Sequence, residues 1–148
     1  MYQKILVPVD GSPTSNLGLR EAIALAKLTG GQLHLLHVID ELSLMVSLES
    51  GLALTSEMLQ LLEETGQQVL SDALAEVHAA GLKAQTELYH GFGGRVADHI
   101  LAKCREWGAE LIVLGTHGRR GVGRILLGSD AEQVLRKATV PVLLVRGT

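Results

Sequence analysis

Short unbroken apolar runs alternate along this chain with longer stretches whose apolar positions recur every three to four residues. Five runs read as strands: Lys4–Val9, Gln32–Val38, Leu82–Tyr89, Glu110–Leu114 and Val140–Arg146. Three of them hold continuous apolar segments, Ile5–Val7, Leu111–Leu114 and Val142–Val145. That is the pattern of strands covered on both faces. In the first helical stretch Leu17, Ala22, Leu25, Ala26 and Leu28 share a face, and Gly30-Gly31 closes it. A long second helix is predicted from Thr55 to Ala80 with Gly81 at its end. A third runs from Arg95 to Trp107 and stops at Gly108, and a fourth from Ser129 to Ala138, stopped before Pro141. The order βαβαβαβαβ predicts right-handed crossovers and an α/β fold, a mostly parallel five-stranded sheet with helices on both faces. Glu41–Leu54 fits neither period; a flap, an extra helical turn and a partner surface are all compatible with it. No repeat, linker or low-complexity tract divides residues 1–148, so one domain is expected.

Composition narrows the class. Hydrophobic residues make up 47% of the chain and charged residues 20%, as in soluble globular proteins. A formal net charge of −3 argues against general nucleic-acid binding, which normally needs a basic surface. Met1 leads straight into the first strand with no charged, apolar and cleavable leader, so no signal peptide or membrane span is expected. The one cysteine, Cys104, cannot form an internal disulfide, which fits a cytoplasmic protein.

The chemistry gathers where strands end. In open parallel sheets ligands sit beyond the carboxyl ends of the strands, where strand order changes direction. Strand 1 ends in Pro8-Val9-Asp10-Gly11-Ser12, strand 2 in His37-Val38-Ile39-Asp40, and strand 4 in Gly115-Thr116-His117-Gly118. The stretch from Gly115 to Ser129 has a glycine at a strand end, where main chain can approach a ligand that a Cβ would exclude. It then carries Arg119, Arg120 and Arg124, and ends in Gly128-Ser129 at a helix start. Free N–H groups and positive charge there describe a phosphate cradle. Asp10 would face it, accepting hydrogen bonds from ribose hydroxyls or helping to hold magnesium; main chain near Val38 would read an adenine edge. The plainer readings are that Asp10 is a turn or N-cap residue, that Gly118, Gly121 and Gly123 are flexible turn residues, and that Gly128-Ser129 is an ordinary cap. No Gly-x-x-x-x-Gly-Lys-Ser/Thr occurs, which excludes a P-loop. Asp10-Gly-Ser-Pro-Thr-Ser15 is no dinucleotide fingerprint.

Gly115, Gly118, Gly128 and Ser129 fit the spacing Gly-x2-Gly-x9-Gly-Ser/Thr, and with Pro8-Val-Asp10, Leu36-His-Val-Ile-Asp40 and Pro141-Val-Leu-Leu-Val-Arg146 the whole chain resembles the ATP-binding branch of the universal stress protein family. The resemblance implies a flavodoxin- or Rossmann-like sheet of order 3-2-1-4-5, of the adenine nucleotide alpha hydrolase type, and a homodimer through the last strand, Val140 to Arg146. It implies ATP or another adenine nucleotide with Mg2+. Pro8 and Val9 would line the pocket floor. Asp10 would stand on the ribose or metal side, and Val38 would hold adenine through its main chain. Gly115, Thr116, His117, Gly118, Arg119 and Arg120, with Gly128 and Ser129, would wrap the phosphates. Many members carry Gly-x-Pro after strand 3, whereas Gly91-Phe-Gly93-Gly94 stands here, which loosens the start of helix 3.

Other residues read as structural. His34 and His37, three apart on a strand, point to opposite faces and cannot easily share an ion. Cys104, Tyr89 and Trp107 read as packing residues. Phosphoryl transfer needs a base or orienting group beside the γ-phosphate, and only Asp10 and His117 offer one. A nucleotide-dependent regulatory module is therefore expected, with an unidentified protein partner. The alternatives are a slow ATPase and a flavodoxin-type FMN carrier that would use Ser12–Ser15. A phosphorelay receiver would want an aspartate where Tyr89-His90 stands.

Overall fold

The computed structural model describes residues 1–40, 56–91, 93–116 and 127–147. In chain order these form β1 (Lys4–Pro8), α1 (Pro13–Thr29), β2 (Gln32–Ile39), α2 (Ser56–Ala79), β3 (Ala84–His90), α3 (Val96–Trp107), β4 (Leu111–Gly115), α4 (Ser129–Lys137) and β5 (Val142–Val145). The sheet order is β3-β2-β1-β4-β5 and every pairing is parallel, as expected. Glu41–Leu54 lies outside the described residues.

Alternation along the strands builds two cores. Ile5, Val7, Leu33, Leu35 and Val113 face α1 and α2, meeting Leu19, Ala22, Leu70 and Val77. Leu6, Leu36, Ile112 and Leu114 face α3 and α4, meeting Ile100, Leu101, Cys104 and Val134. The central strands therefore have no polar face, which is why their apolar runs are unbroken. Each large aliphatic side chain buried this way stabilises the fold by roughly 1.5–3 kcal/mol. An exposed ion pair such as Arg136–Glu132, at 2.7 Å, adds about 0.3–0.5 kcal/mol. The cores decide the fold.

Two strands depart from what the periodicity predicts, each for a physical reason. β3 begins at Ala84 rather than Leu82, because Leu82 belongs to the end of α2. Its N–H returns to the Val77 carbonyl at 3.1 Å while Gly81 N–H returns to His78, a Schellman closure. β5 has the unbroken apolar run of a doubly covered strand, yet it is the sheet edge and Leu143 is 39% exposed. The start of α3, expected to be loose, is held by Arg95 N–H donating to Asp98 at 3.3 Å. That bond, with Lys137 beside it, keeps the Asp98 carboxyl below its ordinary pKa.

His34 and His37 do point to opposite faces. His34 lies on the α3 side, its ring edge against Trp107 at 5.0 Å and its Nε2 at 3.2 Å from Glu87 Oε2. Lys103 reaches the same oxygen at 2.8 Å. Glu87 accepts, so Nε2 carries the proton and the buried Nδ1, which has no hydrogen-bond partner, is bare. Burial holds the His34 pKa below its ordinary 6.5, outweighing the upward pull of Glu87. The unfolded chain thus takes up this proton first as pH falls. The resulting stability is complete above pH 6.5 and is lost progressively below it, toward the folded-state value. His34→Gln, which keeps a donor toward Glu87 but does not titrate, should lose less stability than the parent between neutral pH and pH 5. Urea midpoints of the two proteins across that range check this; parallel profiles would remove His34 from the acid response.

Candidate functional site

At the end of β1 the chain is fixed from both neighbours. Val9 N–H donates to the Leu36 carbonyl at 2.8 Å, although β1 itself stops at Pro8. His37 Nδ1 meets the Val9 carbonyl at 2.7 Å, and Asp10 N–H donates to Ser15 Oγ at 3.1 Å. Asp10 Oδ1 accepts from Ser12 N–H at 2.8 Å, closing a turn through Gly11. Ser12 in turn caps α1, its Oγ accepting from Ser15 N–H at 3.3 Å. The turn role of Asp10 is thus realised. The hydroxyl oxygens of Ser12 and Ser15 both accept within the turn.

The end of β4 is built differently. A Cβ on Gly115 would lie 2.6 Å from both C and O of Thr14 and 2.9 Å from Ser15 N. A Cβ on Gly18, one turn along α1, would lie 3.2 Å from Gly115 N. Main chain therefore rests on main chain where α1 crosses β4. The neighbour that excludes a Cβ from Gly115 is α1. Beyond it, Thr116 N–H donates to Val145 O at 3.0 Å and Gly128 N–H to Thr116 O at 2.6 Å. The chain leaves the sheet and returns at one point. Gly128 is the N-cap of α4 and has no side chain to satisfy the first-turn N–H groups. At the start of α1 the N-cap is a serine that bonds to its own helix, and at the start of α4 it is a glycine that cannot.

Strand geometry also sets where main-chain groups aim. N–H and C=O of one residue face the same neighbouring strand and alternate along the chain. The Leu36 carbonyl faces β1, so Val38 faces the same way, past the end of β1. Thr116 faces β5, so Gly115 faces β1 from the other side. The carboxyl edge thus brings together Pro8, Val9 and Asp10 with Val38 on one flank and Gly115, Thr116, Gly128 and Ser129 on the other. Val9 and Thr116 are buried, Pro8, Val38, Gly115 and Gly128 half-buried, and Ser129 exposed. Between β1 and β4 the sheet changes direction, with α1 and α2 on one face and α3 and α4 on the other. His117, Gly118, Arg119 and Arg120 lie outside the described residues, as do Gly121, Gly123 and Arg124.

Asp130 and Glu132 occupy the first turn of α4, and Glu132 is tied to Arg136 at 2.7 Å. They complement the helix dipole and oppose an incoming anion, so a phosphate there needs cations as partners. A cleft of about 620 Å³ between α1 and α2 shares Val9 and Asp10 with this edge, while Asn16, Gln68 and Asp72 line its far side. Among the described residues no group of three or more His, Cys, Asp or Glu side chains could hold a metal ion. No described helix is long and apolar enough to cross a membrane.

Gly18 carries no role in the sequence reading, and Ser15 and His37 appear there only in other roles. Ser15 and His37 hold the peptide before Asp10, and Gly18 admits β4. A glycine inside a helix costs about 1 kcal/mol against alanine, so Gly18 was itself a sign of close approach. His37 gave no such sign, because a histidine in an apolar run does not announce its partner.

A sequence model of the universal stress protein family matches residues 1–146. The chain is 38% identical over 148 residues to universal stress protein MJ0531 of Methanocaldococcus jannaschii, covering 99% of this chain and 83% of that one. Its structure is similar to that of hypothetical protein MJ0577 of the same organism, with TM-score 0.84 and 30% identity over 100% of this chain and 98% of the other. The universal stress protein of Archaeoglobus fulgidus in complex with dAMP shares the fold, with TM-score 0.71 and 24% identity over 97% and 98% of the two chains.

The α1–β4 contact generates a prediction that needs no ligand. Gly115→Ala should destabilise the nucleotide-free protein by about 2 kcal/mol, since the crowded atoms are backbone and cannot swing aside. Urea unfolding measures it. An unchanged midpoint would mean that α1 can retreat from β4.

Proposed function

Because the chain belongs to the universal stress protein family, we propose that it binds an adenine nucleotide with Mg2+ across the carboxyl ends of β1 and β4 and acts as a nucleotide-dependent regulatory module in a stress response. The observation that carries this reading is the start of α4. Its N-cap is Gly128, which has no side-chain acceptor, and Gly128 N–H ties the helix start to Thr116 O at 2.6 Å, just past the end of β4. An anion is the natural complement of such a helix end. The Archaeoglobus fulgidus protein of the same fold was solved with dAMP, which supports an adenine nucleotide as that anion.

The roles proposed for each group are those that the family resemblance carries onto this chain. Pro8 and Val9 floor the pocket, and the main chain of Val38, aimed past β1, reads the adenine edge. Gly115, Thr116, Gly128 and Ser129, with His117, Gly118, Arg119 and Arg120, surround the phosphates. Asp10 serves the ribose hydroxyls or the metal. Magnesium, when bound, neutralises phosphate charge, and the arginines do the same beside the acidic first turn of α4. Asp10 is held in its turn by Ser12 N–H at 2.8 Å, which favours binding over turnover as the function. Slow hydrolysis is the second reading, with Asp10 or His117 orienting water. The protein works in the cytoplasm as a homodimer paired through Val140–Arg146. The exposed edge of β5 and the outward Leu143 support that pairing.

Freshly purified protein, denatured and analysed by mass spectrometry, should release an adenine nucleotide. Absence of any nucleotide, together with no calorimetric binding of ATP or AMP, would overturn the proposal. ATP hydrolysis should run well below the roughly 1–100 per second of protein kinases. Asp10→Asn keeps an acceptor for Ser12 N–H and removes the charge. It should weaken Mg-ATP about tenfold while leaving metal-free ATP nearly unchanged. Equal weakening assigns Asp10 to ribose.

The dimer has its own test. Leu143→Asp places a charge on the strand edge and should give a folded monomer by analytical ultracentrifugation. A dimer that persists would move the interface elsewhere.

A further inference from the structure

We propose that His37 is a positioning residue of the nucleotide site: by holding the Val9 carbonyl it fixes the peptide plane from which Asp10 projects. This rests on the reading just given and goes beyond it, since His37 is buried and is not among the residues read as touching the nucleotide.

The peptide between Val9 and Asp10 has two polar groups, and each is held by a different element. Its carbonyl meets His37 Nδ1 at 2.7 Å, from β2. Its N–H donates to Ser15 Oγ at 3.1 Å, from the first turn of α1. With both groups engaged, the plane cannot rotate without breaking a buried bond, so the direction of the Asp10 Cα–Cβ bond is set. A carbonyl only accepts, so Nδ1 is the protonated nitrogen and the tautomer of His37 is defined.

The imidazole is in turn held from α2. His37 is buried, and a Cβ on Gly66 would lie 2.8 Å from its Cδ2 and 2.6 Å from Leu88 Cδ1. The α2 main chain therefore lies directly on the ring. Gly66 breaks the helical pattern of α2 where the ring needs the room, as Gly18 does in α1 for β4. His37 thus joins the pocket floor to α2, so a shift of that helix reaches Asp10 through one side chain and one hydrogen bond.

Two substitutions separate the hydrogen bond from the packing. In His37→Asn the amide nitrogen stands near the Nδ1 position and can still donate to Val9, while the part of the ring under Gly66 is gone. In His37→Leu the bulk remains and the donor is lost. Calorimetry with Mg-ATP and thermal unfolding of the nucleotide-free proteins are measured together. His37→Leu should bind at least tenfold more weakly. His37→Asn should stay within threefold of the parent, even though its Tm falls. Affinity that follows Tm in both variants, or that changes in neither, overturns the inference.

A measurement on the unsubstituted protein stands beside these, should either variant fail to fold. With ¹⁵N-histidine labelling, the His37 ring nitrogens should report the Nδ1–H tautomer and shift when Mg-ATP is added. Saturable nucleotide binding that leaves both nitrogens unmoved would overturn the positioning role. If the parent binds no adenine nucleotide, it is the functional reading that fails. The tautomer signal then still reports whether the Val9 bond exists.

Discussion

The site depends on a place where side-chain volume is missing. Gly18 and Gly115 let the first turns of α1 lie main chain against main chain on the end of β4, with the Thr14 carbonyl where a Gly115 side chain would be. That contact fixes the height of the α1 start relative to the sheet. The α1 start then places Ser12 and Ser15, and the two serines fold Asp10 back over the end of β1. A wider gap between α1 and β4 would move the turn as a body, and Asp10 with it. The carboxylate opposite α4 is thus located by packing on the far side of the strand.

The two helix starts at this edge show how one sequence device is turned to opposite ends. Both follow a strand and both have a small residue at the N-cap. Ser12 satisfies its own helix, and Gly128 cannot. The serines at α1 help hold Asp10, whereas the N-cap of α4 has no side chain to turn on its own helix. Asp130 and Glu132 in the first turn of α4 complement that end of the helix dipole.

Strand order, the two covered faces and the order of helices were legible because buried strands and amphipathic helices leave distinct periods. Leu82 was misassigned to a strand because an apolar residue after a helix-ending glycine serves a Schellman closure as well as it starts a strand. The apolar run of β5 was read as doubly covered because periodicity records the chemistry of a face and not what lies against it. At the site, sequence located the groups but not their neighbours. A glycine at a strand end signals that a Cβ is excluded but not by what, and at Gly115 the neighbour is a helix. His37 was set aside with the other histidines, since its meaning lies in the carbonyl of a residue 28 positions earlier.

The bond from Gly128 N–H to the Thr116 carbonyl closes the excursion that begins after β4. Closing a loop costs only about 0.6 kcal/mol more for each doubling of its length. With this neck fastened, the ends of β4 and α4 are held at one place on the sheet, and the position of α4 relative to β5 is set by main chain rather than by side chains.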